Sequence, residues 1–583
     1  MKFYLDTIQK LFFIYHLKFF SFLPIVILAL TLSAIDVLSI GLLIPLFTII
    51  ISPELFLSKF DFLLNIQFFN LALFDKSNIG ISGLLNFSLF FLLVFFIKTI
   101  FGIVTRGVVI NFGLIKSKFL QERLFSCYQS MNFSQFKKKN HSDYTRNINE
   151  LSAGARVCLD QTLIMLQDTV LIISISAYLL YLDPQLMIVI FSIILFTIGL
   201  YNQFFKSRVT TYGILRVRAL QLIYKQIDEA LKGFKEVYSL NKASFFKDLL
   251  STGVQEVYKN DLKSSLFASS SKYILEFVLV IFVIFVLNLR SEPDSTNVEL
   301  LPVLAAYTFA CLKLLPCSVG VSTALVRLTQ LKETVKILFK DLVENEKLPE
   351  KLNEDIQNFD QIKVSDLNFS YANNPIVVLK KVNLEIKKGQ LVGLVGKTGS
   401  GKTTLVDILL GLLEQDKGEI SIDGKKSNLK KRFFNNINYL PQDSMIINDT
   451  IEKNITLSIE NKIDKQKLNS AILDADLFNF ISSLENGTLT KIGPSGINLS
   501  GGQAKKISLA RMFYHNKDIL ILDEPTNSLD STSEKNVMIS IQKLKIKKTI
   551  LFITHNHENL IYCDKVYSIE GGNVQTIKDK TLL

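Results

Sequence analysis

Cysteine is scarce and scattered. Cys127, Cys158, Cys311, Cys317 and Cys563 form no Cys-x-x-Cys pair and no metal-ligand grouping. That spacing excludes a disulfide scaffold and a cysteine-based metal site, and reads as reduced, structural thiols. Charge is sparse too, at 20% of residues against 49% hydrophobic, and the average hides two unlike halves. Almost all the long apolar runs lie before Val335, whereas charged, glycine-punctuated sequence follows it. The first apolar run has no small-residue cleavage site and is far too long for a signal peptide. Lys and Arg are nearly missing from three connections, near 52–80, 183–184 and 290–299.

What is present fits those gaps. At 583 residues the chain is too long for one core and calls for at least two domains. Runs of about 20 apolar residues, enough to span a bilayer, occur at 21–51, 82–105, 162–182, 185–205, 268–289 and 300–323. Pro184 in "YLLYLDPQLMIVI" stops one helix and can start the next. The basic residues cluster between the second and third runs (Arg106, Lys116, Lys118 and Arg123 to Arg156) and between the fourth and fifth (Lys206 to Lys235). The positive-inside rule puts these loops and both termini in the cytoplasm. It also accounts for the net charge of +12 without nucleic acid.

The two basic loops are helical in character and too long to be structureless. The spans are expected to continue as helices and reverse near 132–144 and 213–225. Asp36, Lys98, Glu276 and Lys313 remain within or at the edge of spans, where each costs about 2.5–3.5 kcal/mol at the bilayer centre. As a set they favour an internal polar path.

From Phe359 the pattern changes to short β-rich runs among helical segments, as in an α/β domain with a largely parallel sheet. The boundaries follow: 1–335 membrane domain, 336–358 charged linker, 359–583 α/β domain. "LVGLVGKTGSGKTTLVDILLGL" is a strand, glycine loop and helix in P-loop order. Gly396, Lys397, Thr398, Gly399, Ser400, Gly401, Lys402, Thr403 and Thr404 form the cradle. The glycines let backbone N–H groups turn toward phosphate. Lys402 reaches the β/γ-phosphates and the Thr403 hydroxyl can ligate Mg²⁺. In "DILILDEP" a buried strand ends at Asp523, placed to hold Mg²⁺, with Glu524 next to orient or deprotonate water. Alone, such an acidic pair is a common strand end; after a P-loop it is a hydrolytic pair.

Gly396–Thr404, Gln442, Leu499–Gln503, Ile519–Glu524, Asp530 and His555 fall in the order seen in ABC-transporter ATPases. With six spans ahead of them, the chain resembles a bacterial ABC exporter half-transporter: a six-span α-helical polytopic membrane domain followed by a P-loop α/β ABC ATPase domain. The resemblance implies that ATP and Mg²⁺ bind. Gln442 would be the Q-loop residue on Mg²⁺ and water, His555 the switch histidine on the γ-phosphate, and Tyr371 the ring stacked on adenine. Asp530, in Ser528-Leu529-Asp530, would be the D-loop acid. Ser500, Gly501, Gly502 and Gln503 would open a helix whose N-terminus favours an anion. The anion they meet would be the γ-phosphate held by Lys402 of another copy, making a homodimer with two composite sites.

Two departures stand out. "TKIGPSG", Thr490 to Gly496, lacks the acids that related exporters often carry there, so cross-talk with the opposite membrane domain is lost or shifts to other groups. Lys505 and Lys506 follow the signature, with Ala504 where a polar residue is commoner. Neither departure is expected to touch hydrolysis.

For cargo, "SAIDVLSIGLLIPLF" (33–47), the segment near 52–80 and "NHSD" (140–143) resemble lipid-linked oligosaccharide flippases of the bacterial inner membrane. Such a cargo implies cations along its way, and Lys98, Arg106, Lys272 and Lys313 are the candidates. Singly, Arg106 and Lys272 also read as surface anchors. With about twenty residues before the first span, no peptidase domain is expected. An exporter of drugs or lipid A-like lipids and an ATP-gated channel are the alternatives; a soluble nucleic-acid-linked ATPase is excluded by the spans.

Overall fold

A computed structural model of the chain describes residues 2–51, 56, 60, 67–68, 71–72, 81–182, 184, 206–289, 300–345, 359–371, 376–426, 436–458, 463–494, 496–527, 529–545 and 547–577. Two units emerge, Met1–Met131 with Gln135–Leu348, and Asn132–Ser134 with Pro349–Leu583.

The first unit is helical. Among the described residues four stretches are long and apolar enough to cross a membrane: Phe20–Ile50, Phe87–Gln129, His141–Leu182 and Ala305–Gln330. The expected span at 185–205 lies outside the described residues. The run at 268–289 ends the helix Ala243–Leu289. The first span is interrupted at Leu42, between helices Leu23–Gly41 and Leu43–Ile51. The helix Ile81–Gln129 has 49 residues. At 1.5 Å per residue it is about 73 Å long, against a hydrocarbon layer of about 30 Å. Beyond the spans lies an antiparallel pair, β1 (Gln67–Phe68) with β2 (Leu71–Ala72).

The first reversal runs through short helices Phe133–Phe136 and His141–Arg146, overlapping the 132–144 stretch that the sequence marks and ending two residues beyond it. The second does not fall at 213–225. Those residues stay within the helix Lys206–Lys232, and the chain turns through Phe234–Ser239 instead. Burial explains the shift: Val209, Gly213 and Val217, four residues apart, are buried along one face of a continuous helix. Gly213 is not a turn glycine. A Cβ there would meet the Gln330 carbonyl oxygen at 2.1 Å, so it marks a close helix crossing. The turn itself has Gly233 before its short helix and Asn241 in the left-handed region at φ 51°.

Two further elements depart from the sequence reading. The helix Lys2–Ile14 precedes the first span, with Leu11 and Ile14 buried. Its last carbonyls accept from the Arg123 guanidinium, at 2.8 Å for Phe13 and also at Ile14. The charged linker begins later than residue 336. Lys332–Asn345 is a helix, with Val335, Leu338 and Leu342 buried in the helical unit; residues 346–358 lie outside the described residues. The apolar anchors recur at helical spacing, which outweighs the charge between them. That helix also brings in buried Asp341. Its carboxylate accepts from the Tyr128 hydroxyl at 2.9 Å, the Asn147 amide at 2.9 Å and the Lys139 ammonium at 2.6 Å.

The second unit is α/β. A small antiparallel pair, β9 (Asp449–Thr450) with β10 (Lys491–Ile492), forms a sheet of its own, and the main sheet has the order β14-β13-β5-β12-β11-β8. These are Asn573–Ile577, Lys565–Glu570, Leu391–Val395, Thr549–Ile553, Ile519–Asp523 and Ile437–Leu440. All neighbours are parallel except β13 and β14. A second, antiparallel sheet has the order β4-β3-β6-β7, from Val377–Lys387, Gln361–Ser370, Lys417–Ile422 and Lys425–Lys426. Strand alternation divides the main sheet between two cores. Ile519, Ile521, Leu551 and Ile553 face the core shared with the antiparallel sheet, and Leu520, Leu522, Ile550 and Phe552 face the other. The carboxyl ends of the parallel strands therefore collect at one edge, where sites of open α/β sheets form.

Replacing Asp341 with Ala strands three donors around a buried site. The expected loss is about 1–3 kcal/mol, read as a lower Tm of the detergent-purified protein, with Asp341→Asn falling less. An unchanged Tm would show that the network carries no stability.

Candidate functional site

The P-loop leaves the fully buried strand β5 and enters the helix Lys402–Leu409. Gly401, the N-cap, sits at φ 108°, and a Cβ there would come within 2.8 Å of Leu379. Both constraints demand glycine. The Lys402 ammonium bridges the carbonyls of Gly396 at 2.5 Å and Lys397 at 3.1 Å. The Ser400 N–H closes the turn on Lys397 O, while its buried hydroxyl has no partner. An orphaned donor inside a glycine loop suits a phosphate oxygen. Thr398, Gly399 and Thr403 are exposed on the turn and first helical residues. The Tyr371 hydroxyl shares a hydrogen with Thr404 Oγ1 at 3.1 Å, and its ring lies edge-on to Phe369.

Opposite this loop stands Glu524, directly after β11. Its φ of 49° is left-handed, a strained setting that persists where surroundings enforce it. Here its N–H is fixed on Ile553 O at 2.9 Å. The carboxylate accepts from Gln442 Nε2 at 2.8 Å and Asn527 Nδ2 at 3.1 Å, and lies 3.1 Å from His555 Nε2. Three residues named from the sequence, Gln442, Glu524 and His555, thus meet at one carboxylate; Asn527 was not foreseen. Asp523 accepts from the Tyr439 hydroxyl at 3.2 Å. Burial pushes the Asp523 carboxyl pKa up, helped by Glu524 and opposed by the Tyr439 bond, Lys505 and Lys402. Burial pushes the Lys402 ammonium down, while Glu524 and Asp523 pull it back up. Lys402 and the two acids therefore feel one another across a single site.

Lys505, noted in the sequence only as a departure after the signature, lies at the hydrolytic residues. Its ammonium, in a residue only 3% exposed, donates to Pro441 O and Gln442 O at 2.9 Å each and to Asp523 O at 3.3 Å. It ties the end of β8 to the end of β11, the two segments that carry Gln442 and Glu524. The signal was in the sequence: Lys505, Ser508, Leu509 and Met512 follow the i, i+3, i+4, i+7 spacing of a buried face. Lys506 instead pairs with Asp476 at 2.8 Å.

The signature turn is built as a capping box. Ser500 Oγ accepts from Gln503 N at 3.2 Å, and Gln503 Oε1 accepts from Ser500 N at 2.9 Å, opening the helix Gly501–His515. These bonds stay within the turn, and Ser500 and Gly501 are exposed. Asp530 accepts from Ser533 N at 3.0 Å, which holds its carboxyl below the usual range and caps the helix Ser531–Lys545. Ser528 lies outside the described residues.

In the membrane unit Lys98 is buried against Asp36, with Lys313 near the same carboxylate. Arg106 is exposed, within electrostatic reach of Asp160 and Asp168. The side chains of Lys272 and Glu276 lie outside the described residues.

This geometry defines a P-loop nucleotide hydrolase that follows a helical membrane unit in the sequence. Residues 26–309 match the ABC transporter transmembrane region and residues 379–527 match the ABC transporter domain. The chain is an ABC half-transporter, an ATP hydrolase coupled to transport. It is 27% identical over 421 residues to an ATP-dependent lipid A-core flippase of Pasteurella multocida, covering 69% of this chain and 70% of that one. A flippase of the same name from Vibrio vulnificus is 28% identical over 477 residues, 78% of each chain. Its fold matches a bacterial Atm1-family ABC exporter with ATP bound, with a TM-score of 0.76 at 17% identity over 96% of this chain and 95% of the other.

The oxygen donors of Thr403, Gln442 and Asp523 fit a hard cation such as Mg²⁺, which keeps most of its shell as water and phosphate.

Lys505→Met is expected to lower the ATPase kcat about tenfold with the KM for ATP little changed, since it unfastens Gln442 and Glu524 rather than the phosphate cradle. Lys505→Arg, still charged, should retain most of the rate. Equal kcat in Lys505→Met and wild type would remove this role.

Proposed function

We propose that the chain works as a homodimer in the bacterial inner membrane, with both termini and the ATPase unit on the cytoplasmic side. It flips a lipid-linked oligosaccharide, a polyprenyl-diphosphate glycan, for glycoprotein or O-antigen assembly. One observation carries the cargo reading: two span ammonium groups, Lys98 and Lys313, converge on the single carboxylate of Asp36. The excess positive charge suits an anionic headgroup crossing a low-dielectric layer. Arg106 and Lys272 extend that path. A lipid A-core-type lipid is the second reading, favoured by the names of the relatives.

In the motor, Lys402 grips the β/γ-phosphates and Ser400 adds a hydroxyl. Glu524 takes the proton of the attacking water. Gln442 and His555 hold its carboxylate in place and meet the γ-phosphate side. Thr403, Gln442 and Asp523 would hold Mg²⁺, which neutralises phosphate charge when bound. Tyr371 exchanges its bond to Thr404 for stacking on adenine. Ser500, Gly501, Gly502 and Gln503 reach the nucleotide held by the partner, with Asp530 at the crossing. ATP closes the two ATPase units, and hydrolysis resets them.

Fluorescent polyprenyl-diphosphate glycan in proteoliposomes should flip with ATP and stay put with Glu524→Gln, a variant that still binds ATP. Flipping of a lipid A-core lipid with no movement of the glycan lipid would transfer the function to the second reading.

The trans arrangement is tested by mixing Ser500→Arg and Lys402→Ala subunits. Each homodimer lacks any intact composite site, whereas the heterodimer keeps one. Partial ATPase activity is expected to return, and none returning would refute the shared site.

A further inference from the structure

Three helices bring charge to one point inside the membrane unit. Asp36 comes from Leu23–Gly41, Lys98 from Ile81–Gln129 and Lys313 from Leu300–Gln330. Lys98 Nζ pairs with Asp36 Oδ1, and Lys313 Nζ lies 3.9 Å from the same oxygen. Lys98 also sits 4.7 Å above the Phe95 ring. The side chains of Asp36 and Lys98 are 7% and 10% exposed, whereas that of Lys313 is 38% exposed. The cluster therefore has a closed inner pair and an open outer cation.

Within salt-bridge distance, among the described residues, the charges do not balance; Asp168 is the next acid, sharing Cys317 as a neighbour with Asp36 and Lys313. Two ammonium groups share one carboxylate oxygen, leaving one positive charge at span depth, where unpaired charge is costly. A carboxylate offers two oxygens and one charge; a phosphate or diphosphate offers more of both. Lys98 and Lys313 are thus a partly neutralised anion site rather than a satisfied ion pair.

We propose that Asp36 is an internal stand-in for the cargo headgroup: it occupies the Lys98–Lys313 site when no cargo is bound, and a phosphate-bearing lipid headgroup displaces it. This rests on the anionic-lipid reading above and adds a selection rule to it. A headgroup with one negative charge merely trades places with Asp36 and gains little. A headgroup with two or more compensates both cations and gains clearly. A zwitterionic headgroup gains nothing. Lys313, the exposed member, meets the headgroup first, and Lys98 becomes available only as Asp36 leaves.

The test uses the full chain in phosphatidylcholine nanodiscs, with ATPase rates normalised to each variant's own basal rate. Undecaprenyl diphosphate without a glycan is titrated beside phosphatidylglycerol and, in solution, inorganic pyrophosphate at fixed free Mg²⁺. Stimulation should be strongest with undecaprenyl diphosphate and weak with phosphatidylglycerol. Asp36→Asn should lower the half-stimulating lipid concentration about tenfold, and Lys313→Gln should raise it at least about tenfold. Asp36→Glu, which keeps a competing carboxylate, should stay near wild type. Pyrophosphate stimulating as well as the lipid would assign the site to a soluble anion and overturn the lipid headgroup. A half-point unmoved in Asp36→Asn makes the triad a structural latch and overturns the proposal. If Asp36→Asn cannot be purified folded, Lys313→Gln decides alone, and an unmoved half-point again overturns it. The two readings fail separately. Glycan-lipid flipping with an unmoved Asp36→Asn half-point sinks only the stand-in; shifted half-points without glycan-lipid flipping sink only the glycan cargo.

Discussion

One carboxylate, that of Glu524, sets the terms for the ATPase half. It is held at a strained backbone position by Gln442, Asn527 and His555, each delivered from a strand end or the turn beside it. Those ends lie together because β8, β11 and β12 are parallel neighbours in register, in a sheet covered on both faces by two separate cores. Lys505 completes the arrangement from beneath, its ammonium satisfying main-chain carbonyls where two strands stop. The strain at Glu524 persists because this whole frame fixes it.

The membrane half meets the opposite constraint. There the sequence places charge where water is absent, and the fold gathers it onto a few shared partners. Asp36 collects Lys98 and Lys313 within the spans, and Asp341 collects Tyr128, Asn147 and Lys139 beyond them. Asp341 sits in a network of neutral and charged donors that satisfies it. Among the described residues, the ion pairs of Asp36 are with two ammonium groups, one more than its charge. The first is a structural joint, whereas the second leaves chemistry undone.

Much of this was legible in the residues. Apolar run length marked the four spans seen among the described residues, and Leu391–Leu409 forms the strand–loop–helix unit that its order implied. Gln442, Glu524 and His555 were each readable as strand-end residues, though their meeting point was not, since it depends on which strands become neighbours. Positions that served two readings misled. The stretch 213–225 was read as a reversal, whereas its first residue, Gly213, sits at a helix crossing. Lys340 and Glu344 looked like a linker while Leu338 and Leu342 between them bury a helix face. Lys505 was visible as a departure, but its weight lies in register, because it is a lysine on a stripe otherwise made of Ser508, Leu509 and Met512.

The cap on the first helix orders events in time. Arg123 closes the end of Lys2–Ile14 from a position 109 and 110 residues further along the chain, while its guanidinium lies 5.3 Å from the Phe13 ring. During synthesis at about 5–20 residues per second, that helix must wait several seconds with its last carbonyls open. The helix is therefore closed only after the stretch that carries Arg123 has been made, so its cap follows the second span rather than seeding it.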